Sequence, residues 1–351
     1  MTLIGRLGLS VPVVQAPMAG VSTPALAAAV SNAGGLGSIA LGASDAEAAR
    51  GMIREVRDRT DRAFNVNLFV HATPKPDPAR EAAWINALAP LFGTFGARPP
   101  TELRAIYQSF ADDDAMLEML ADEAPPVVSF HFGLPSSARV ARLRDAGCLL
   151  LATVTSLSEA AAAQALGVDG VVAQGYEAGG HRGVFDPAAA DDRLGTMALT
   201  RLLVSRMDMP VIAAGGIMDG RGVRAALDLG AVAAQLGTAF IACPESAADA
   251  PYRASLTGPA GEHTIMTRVI SGRPARCLRN RFTEWGRNAT VPPSPDYPIA
   301  YDAGKALNAA ARAAGEAGFG AQWAGQGAPL SRALPAAELV ALLRDEAGWA
   351  L

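Results

Sequence analysis

Val168-Asp169-Gly170-Val171-Val172-Ala173-Gln174-Gly175-Tyr176-Glu177-Ala178-Gly179-Gly180-His181-Arg182-Gly183 is a mainly apolar run that ends in a glycine-rich loop carrying one histidine. The run is continuous rather than strictly alternating, which is the pattern of a strand in a parallel sheet covered by helices. The glycines after it let the backbone turn sharply and approach a ligand closely, and an unperturbed imidazole ionises near neutrality. A buried strand delivering such a loop points to an active site in which His181 handles a proton.

The same unit recurs on both sides. Apolar runs at Val11–Ala16, Leu36–Leu41, Phe64–Phe69, Val127–Phe132, Cys148–Val154, Pro210–Ala214 and Val232–Leu236 join the first to make eight strands. Between them lie segments with helix signals: Ser22-Thr23-Pro24 puts a hydroxyl cap before a proline, and Ser44-Asp45-Ala46-Glu47 has the spacing of a capping box. Several end in a residue plus glycine, at Ala33-Gly34, Ala146-Gly147, Leu166-Gly167 and Leu229-Gly230, where a left-handed residue terminates a helix. The fold class is therefore α/β, a TIM (β/α)8 barrel with a smaller inserted subdomain over its C-terminal mouth. An open Rossmann-like sheet is the competitor, but no GxGxxG follows the first strand.

Two segments break the rhythm. Residues 70–126 contain the proline-punctuated Thr73–Pro78 and helical stretches at Ala79–Leu91 and near Thr101–Leu120. From Pro244 to about Pro298 the chain is rich in Arg, Pro and polar residues, and further helices are expected at Asp302–Ala314 and Pro335–Arg344. The organisation expected is a barrel over 1–243 with a helical insertion at about 70–126, an inserted substrate-side subdomain over 244–302, and C-terminal helices over 303–351 returning to the barrel.

Composition narrows the function. Half of the 351 residues are hydrophobic, 18% are charged, and the net charge is −4. No basic cluster offers a footprint for nucleic acid, and no run of about 18 apolar residues suggests a membrane span, so neither partner is expected and the location expected is cytoplasmic. Cys148, Cys243 and Cys277 are odd in number and widely spaced, which argues against a disulfide framework and a metal site.

In such a barrel chemistry sits at the C-terminal ends of the strands, and phosphate is often held after strands seven and eight. Ala213-Ala214-Gly215-Gly216-Ile217 and Gln235-Leu236-Gly237-Thr238 occupy those places, and backbone N–H groups with a threonine hydroxyl form an anion site. Gln174, Asn67 and Met18 close or follow strands, and amides that both donate and accept suit the edge of a planar heteroaromatic ring. Together with the phosphate site they suggest flavin mononucleotide, FMN. His131 ends the fourth strand and is expected at the mouth; Glu177 is expected to fix its loop by accepting backbone N–H bonds. His71 and His263 fall in expected loops and are taken as incidental.

These segments carry a family resemblance. Gln15–Gly20, Asn65–Phe69, Ser129–Gly133, Gln174–Gly183, Ala214–Ile217, Gln235–Phe240, Ser271–Arg276, Tyr297-Pro298 and Trp323–Gly327 together resemble the nitronate monooxygenases, formerly 2-nitropropane dioxygenases, in their class I pattern. The resemblance implies non-covalent FMN on Met18, Asn67, Gln174, Gly179, Gly180, Gly215, Gly216, Gln235, Leu236, Gly237 and Thr238, with His181 as the catalytic histidine. It also implies Tyr107, Tyr252, Tyr297, Tyr301 and Lys305 on the substrate side, where His131 is expected from its place at the end of the fourth strand. The activity implied is oxidation of alkyl nitronates such as propionate 3-nitronate by O2 to a carbonyl compound and nitrite, through one-electron transfer to the flavin and without a metal. His181 either abstracts the α-proton of a neutral nitroalkane or, as an imidazolium, holds the nitronate oxygens. Alternatives on the same barrel are a flavin-dependent enoyl-acyl-carrier-protein reductase, an NADH:quinone reductase and a flavin-binding protein without turnover.

Overall fold

The apolar runs become short strands, described over residues 2–349 in a computed structural model. In chain order they are β1 (Val13–Gln15), β2 (Gly37–Ala40), β3 (Phe64–Phe69), β4 (Val127–His131), β5 (Leu149–Val154), β6 (Gly170–Gln174), β7 (Gly180–His181), β8 (Val211–Ala214), β9 (Ala233–Leu236), β10 (Thr264–Thr267) and β11 (Ala275–Leu278). Eight pair in the order β1-β9-β8-β6-β5-β4-β3-β2, and a parallel bridge between Val14 and Leu36 joins β1 to β2. The sheet thus closes into the expected (β/α)8 barrel, which rules out the open sheet.

Strand alternation sorts the side chains into two cores. Val14, Leu36, Val127, Leu149, Leu151, Val172, Ile212 and Ala233 form one, joined by Leu3 of the N-terminal helical turn Leu3–Arg6 and by Leu7 just after it. Their strand neighbours, such as Val128, Leu150, Ala152 and Val171, pack instead with the surrounding helices. Helix ends follow the glycine signals: Gly34, Gly147, Gly167 and Gly230 have φ of 93°, 90°, 86° and 97°. Thr23 caps the helix Pro24–Asn32 as its sequence suggests. The capping-box spacing at Ser44 misleads, because Asp45 is the cap and accepts from Ala48 N at 2.8 Å. Cys148, Cys243 and Cys277 are free and buried.

The helix expected near 101–120 is restricted to Asp114–Glu123. Asp113 starts it by accepting from Met116 N, while the preceding chain runs irregularly and Phe110 N bonds to Phe69 O at the end of β3. Met116, Met119 and Leu120 share a core with Ile53, Val56, Val140 and Leu143, so this helix belongs to the barrel's outer ring. The helix Pro78–Gly93 instead contributes Trp84, Leu88 and Phe92 to a separate core with Ile270, Phe282, Ala303 and Leu307. The last two residues come from Ile299–Ala313, and Leu339, Val340 and Leu343 of Ala336–Glu346 pack with Leu26, Val30, Val223 and Ala226. Both helices lie within three residues of the expected spans, an ordinary uncertainty at frayed ends.

Candidate active site

Along four of the barrel strands the inward residues change from apolar to polar toward the C-terminal end. Leu151 gives way to Thr153, Val172 to Gln174, Ala233 to Gln235, and Val127 to Ser129 and His131. These polar ends, with Asn67, line a cavity of about 520 Å3. Its wall also holds Met18, Gly179, Gly180, His181, Gly215, Gly216, Gly237, Thr238, Tyr107, Tyr252, Tyr297, Tyr301 and Lys305. The structure therefore brings together every expected site residue but one. Leu236 alternates outward from Gln235 and packs with Val13 and Leu339, so its side chain forms no part of the wall.

One part of the cavity is a glycine cradle. Gly215 and Gly216 have φ of 122° and 69°, a region that only glycine enters without strain. A Cβ on Gly179 would lie 2.5 Å from Gly325 N, so the two loops touch by backbone alone. Thr238 Oγ1 accepts from Gly325 N at 2.9 Å, which leaves its proton free to donate. Glu177 fixes this corner as expected: its carboxylate accepts from Thr196 N at 2.8 Å and Thr196 Oγ1 at 2.9 Å, capping the helix Thr196–Arg206.

The amides divide by partner. Gln174 Nε2 donates to His181 O at 3.0 Å and its Oε1 accepts from Gly183 N at 2.7 Å, so it clamps the histidine loop. Asn67 Nδ2 donates to Ser129 Oγ at 2.9 Å. Among the described residues the Asn67 carbonyl oxygen and the whole Gln235 carboxamide find no partner, leaving polar groups on the wall for a ligand.

His181 is less free than a loop residue. Gly180 and His181 form β7, which pairs antiparallel with β11, His181 opposite Ala275. Its Nε2 lies 2.9 Å from Ser271 Oγ, and its carbonyl also takes a bond from His131 Nε2 at 3.2 Å. Nδ1 is left as the nitrogen open to a ligand. Rings of Trp323, Tyr297 and Phe132 stand 4.9, 5.4 and 5.5 Å away. Burial, with His131, Arg273 and His71 adding to it, holds the imidazole pKa well below its ordinary value. The ring is thus a neutral acceptor near neutrality, which favours the proton-abstracting role over the imidazolium role in the free site.

Around it the tyrosines differ. Tyr252 donates its hydroxyl to Trp323 O, so that group is committed to the protein. Tyr297 is buried with its hydroxyl unpartnered. Lys305 is exposed at the rim with Nζ 4.9 Å from the Tyr107 ring centre and 5.6 Å from that of Tyr301. His131 is half-buried and its pKa is lowered to about 4, chiefly by desolvation and then by Arg273.

Sequence reasoning passed over three contributors. His71, expected in a loop and taken as incidental, lies outside the cavity lining but backs it: it is 2% exposed, neither ring nitrogen has a partner, and it stands edge-on to Tyr297 at 5.0 Å. Its proximity to the end of β3 was the available signal. Ser271 and Trp323 lay within motifs that carried the resemblance, yet only folding shows that they meet His181. His263 is exposed, as an incidental residue would be.

Comparison with known proteins places these residues in context. A sequence model of the family described as nitronate monooxygenase matches residues 2–346. A nitronate monooxygenase of Paraburkholderia phytofirmans is 60% identical over 344 residues, covering 98% of this chain and 94% of the relative. One from Pseudomonas aeruginosa is 58% identical over 340 residues, covering 97% of each. Among solved structures, a nitroalkane oxidase from Streptomyces ansochromogenes has a TM-score of 0.89 at 42% identity and covers 98% of both chains. FabK from Thermotoga maritima has a TM-score of 0.73 at 29% identity, covering 99% of this chain and 95% of that one.

Proposed function

We propose, from the fact that this chain belongs to the nitronate monooxygenase family of oxidoreductases, that it binds FMN in the barrel mouth and oxidises alkyl nitronates with O2 to a carbonyl compound and nitrite. The observation that carries this reading is a cavity with two distinct ends. One is the glycine cradle at Gly215, Gly216, Gly237 and Thr238, and the other holds His181 among Tyr107, Tyr297, Tyr301 and Lys305.

The residues fit a flavin nucleotide. Backbone N–H groups of the cradle and the free Thr238 proton suit a phosphate, and about 520 Å3 falls in the range of cofactor sites. Asn67 and Gln235 present unpaired amide groups to a heteroaromatic edge, and Met18 and Gly179 complete the wall. When bound there, the flavin supplies the one-electron redox chemistry. The chain's own part is to orient and to manage protons. His181, neutral and held through Nε2 by Ser271, keeps Nδ1 as a base for the α-proton of a nitroalkane. For a nitronate already ionised, no proton need leave carbon, and Lys305 and the Tyr297 hydroxyl hold the anion. The aromatic rings exclude water from its carbon end.

The test is anaerobic mixing of the flavin-loaded protein with propionate 3-nitronate and, separately, with NADH while the flavin absorption is followed. Reduction by the nitronate with no bleaching by NADH is the expected result. Bleaching by NADH alone would overturn the reading in favour of a reductase.

A further inference from the structure

We propose that Arg273 sets the preference of this site for an anionic over a neutral substrate, acting as a fixed positive charge behind the cavity wall. The inference rests on the nitronate reading above. Arg273 is 3% exposed and lies outside the cavity lining, so it acts through what stands in front of it. Its guanidinium sits 4.2 Å from the centre of the Phe132 ring, whose other neighbours include His181 and Tyr297 at 5.5 and 5.3 Å. The main chain of the same residue holds Ser271, the partner of His181: Ser271 Oγ donates to Arg273 O at 3.3 Å.

The charge has little to neutralise it. Buried Arg139 and Arg182 form ion pairs with Asp114 and Asp191, at 2.5 and 2.9 Å. Arg273 instead donates to the Val184 carbonyl, lies over an aromatic face, and leaves Nε without a partner. Among the described residues no carboxylate lies within ion-pair distance of it, and none lines the cavity. A buried guanidinium without a counter-ion is costly, and its field is weakly screened across an apolar ring. An anion entering the cavity meets that field across Phe132 and the wall residues His181 and Tyr297 that pack on it. A neutral nitroalkane of the same shape gains nothing from it. Selection by charge therefore needs no direct contact, and Gly272 shows how firmly the turn is seated, since a Cβ there would lie 2.3 Å from Pro295 O.

The experiment uses the flavin-loaded full chain as wild type, R273M and R273K. Nitrate serves as an inert anion and nitroethane as a neutral ligand, with dissociation constants read from the flavin absorption and KM and kcat measured for ethylnitronate. R273M is expected to weaken nitrate binding and raise the KM for ethylnitronate about tenfold, with nitroethane binding changed less than about twofold. R273K is expected to restore most of the loss. Equal weakening of nitrate and nitroethane would reduce Arg273 to a packing role, and unchanged nitrate binding would remove it altogether; either overturns the proposal. If R273M fails to retain flavin, R273Q removes the charge while keeping a donor for Val184 and carries the same comparison. Should wild type not oxidise ethylnitronate, the functional reading fails, whereas the nitrate and nitroethane constants still decide the role of Arg273.

Discussion

His181 shows how the same side chain changes meaning with its surroundings. In a free loop it would titrate near neutrality; clamped by Gln174, His131 and Ser271 it stays neutral and directional. Replacing His181 by Asn keeps a polar side chain of similar reach but removes the base. Turnover of a neutral nitroalkane should fall by about 100-fold or more while flavin stays bound, read by steady-state kinetics beside the flavin spectrum. An unchanged rate would remove His181 from proton transfer. The residue types that announce this site were legible because each closes a strand or lies in a glycine-rich loop directly after one. His71 and Arg273 were not, since their roles depend on who stands beside them after segments far apart in sequence meet, and nothing local to either marks it as buried.

Elements were legible to the extent that their signals are local. Continuous apolar runs and left-handed glycines identify strands and helix ends, because each reflects a backbone preference satisfied within a few residues. The failed helix over 101–113 shows the limit: hydrophobic residues such as Phe110 are buried there by lying along the end of β3, not by helical periodicity. The helix Thr196–Arg206 has glycine at its cap and no side-chain cap of its own, so Glu177 supplies one from the site loop. Glu177→Ala should cost about 1 kcal/mol in urea unfolding, the usual loss for a cap. It should also weaken FMN retention, since Thr196 Oγ1, which the carboxylate holds, also lies 2.9 Å from Gly215 O and ties the cap to the cradle. A loss of stability with cofactor affinity untouched would separate the cap from the cradle.

At the scale of the whole molecule, three imidazoles at or behind the mouth, buried or half-buried, make stability depend on acid. Burial, with Arg273 second, pushes His71 and His131 each down from 6.5 to about 4. Between those values the unfolded chain takes up protons that the folded chain refuses, so stability is full above the ordinary histidine pKa and is lost as the pH falls toward the folded value. Each of the two should contribute roughly 3 kcal/mol to that loss. Urea unfolding at a series of pH values across this window checks it, with His71→Gln expected to flatten the slope; an unaltered slope would show that His71 does not titrate with unfolding.

The insertion core has a further consequence, for synthesis rather than catalysis. Trp84, Leu88 and Phe92 find Ala303 and Leu307 only after roughly two hundred more residues have left the ribosome, about 10–40 s at ordinary elongation rates. Through that interval the nascent chain carries an uncovered aromatic face beside a barrel still being wound. The roof of the active site is therefore among the last parts completed, and newly made protein is at its stickiest for chaperones just before it can first become an enzyme.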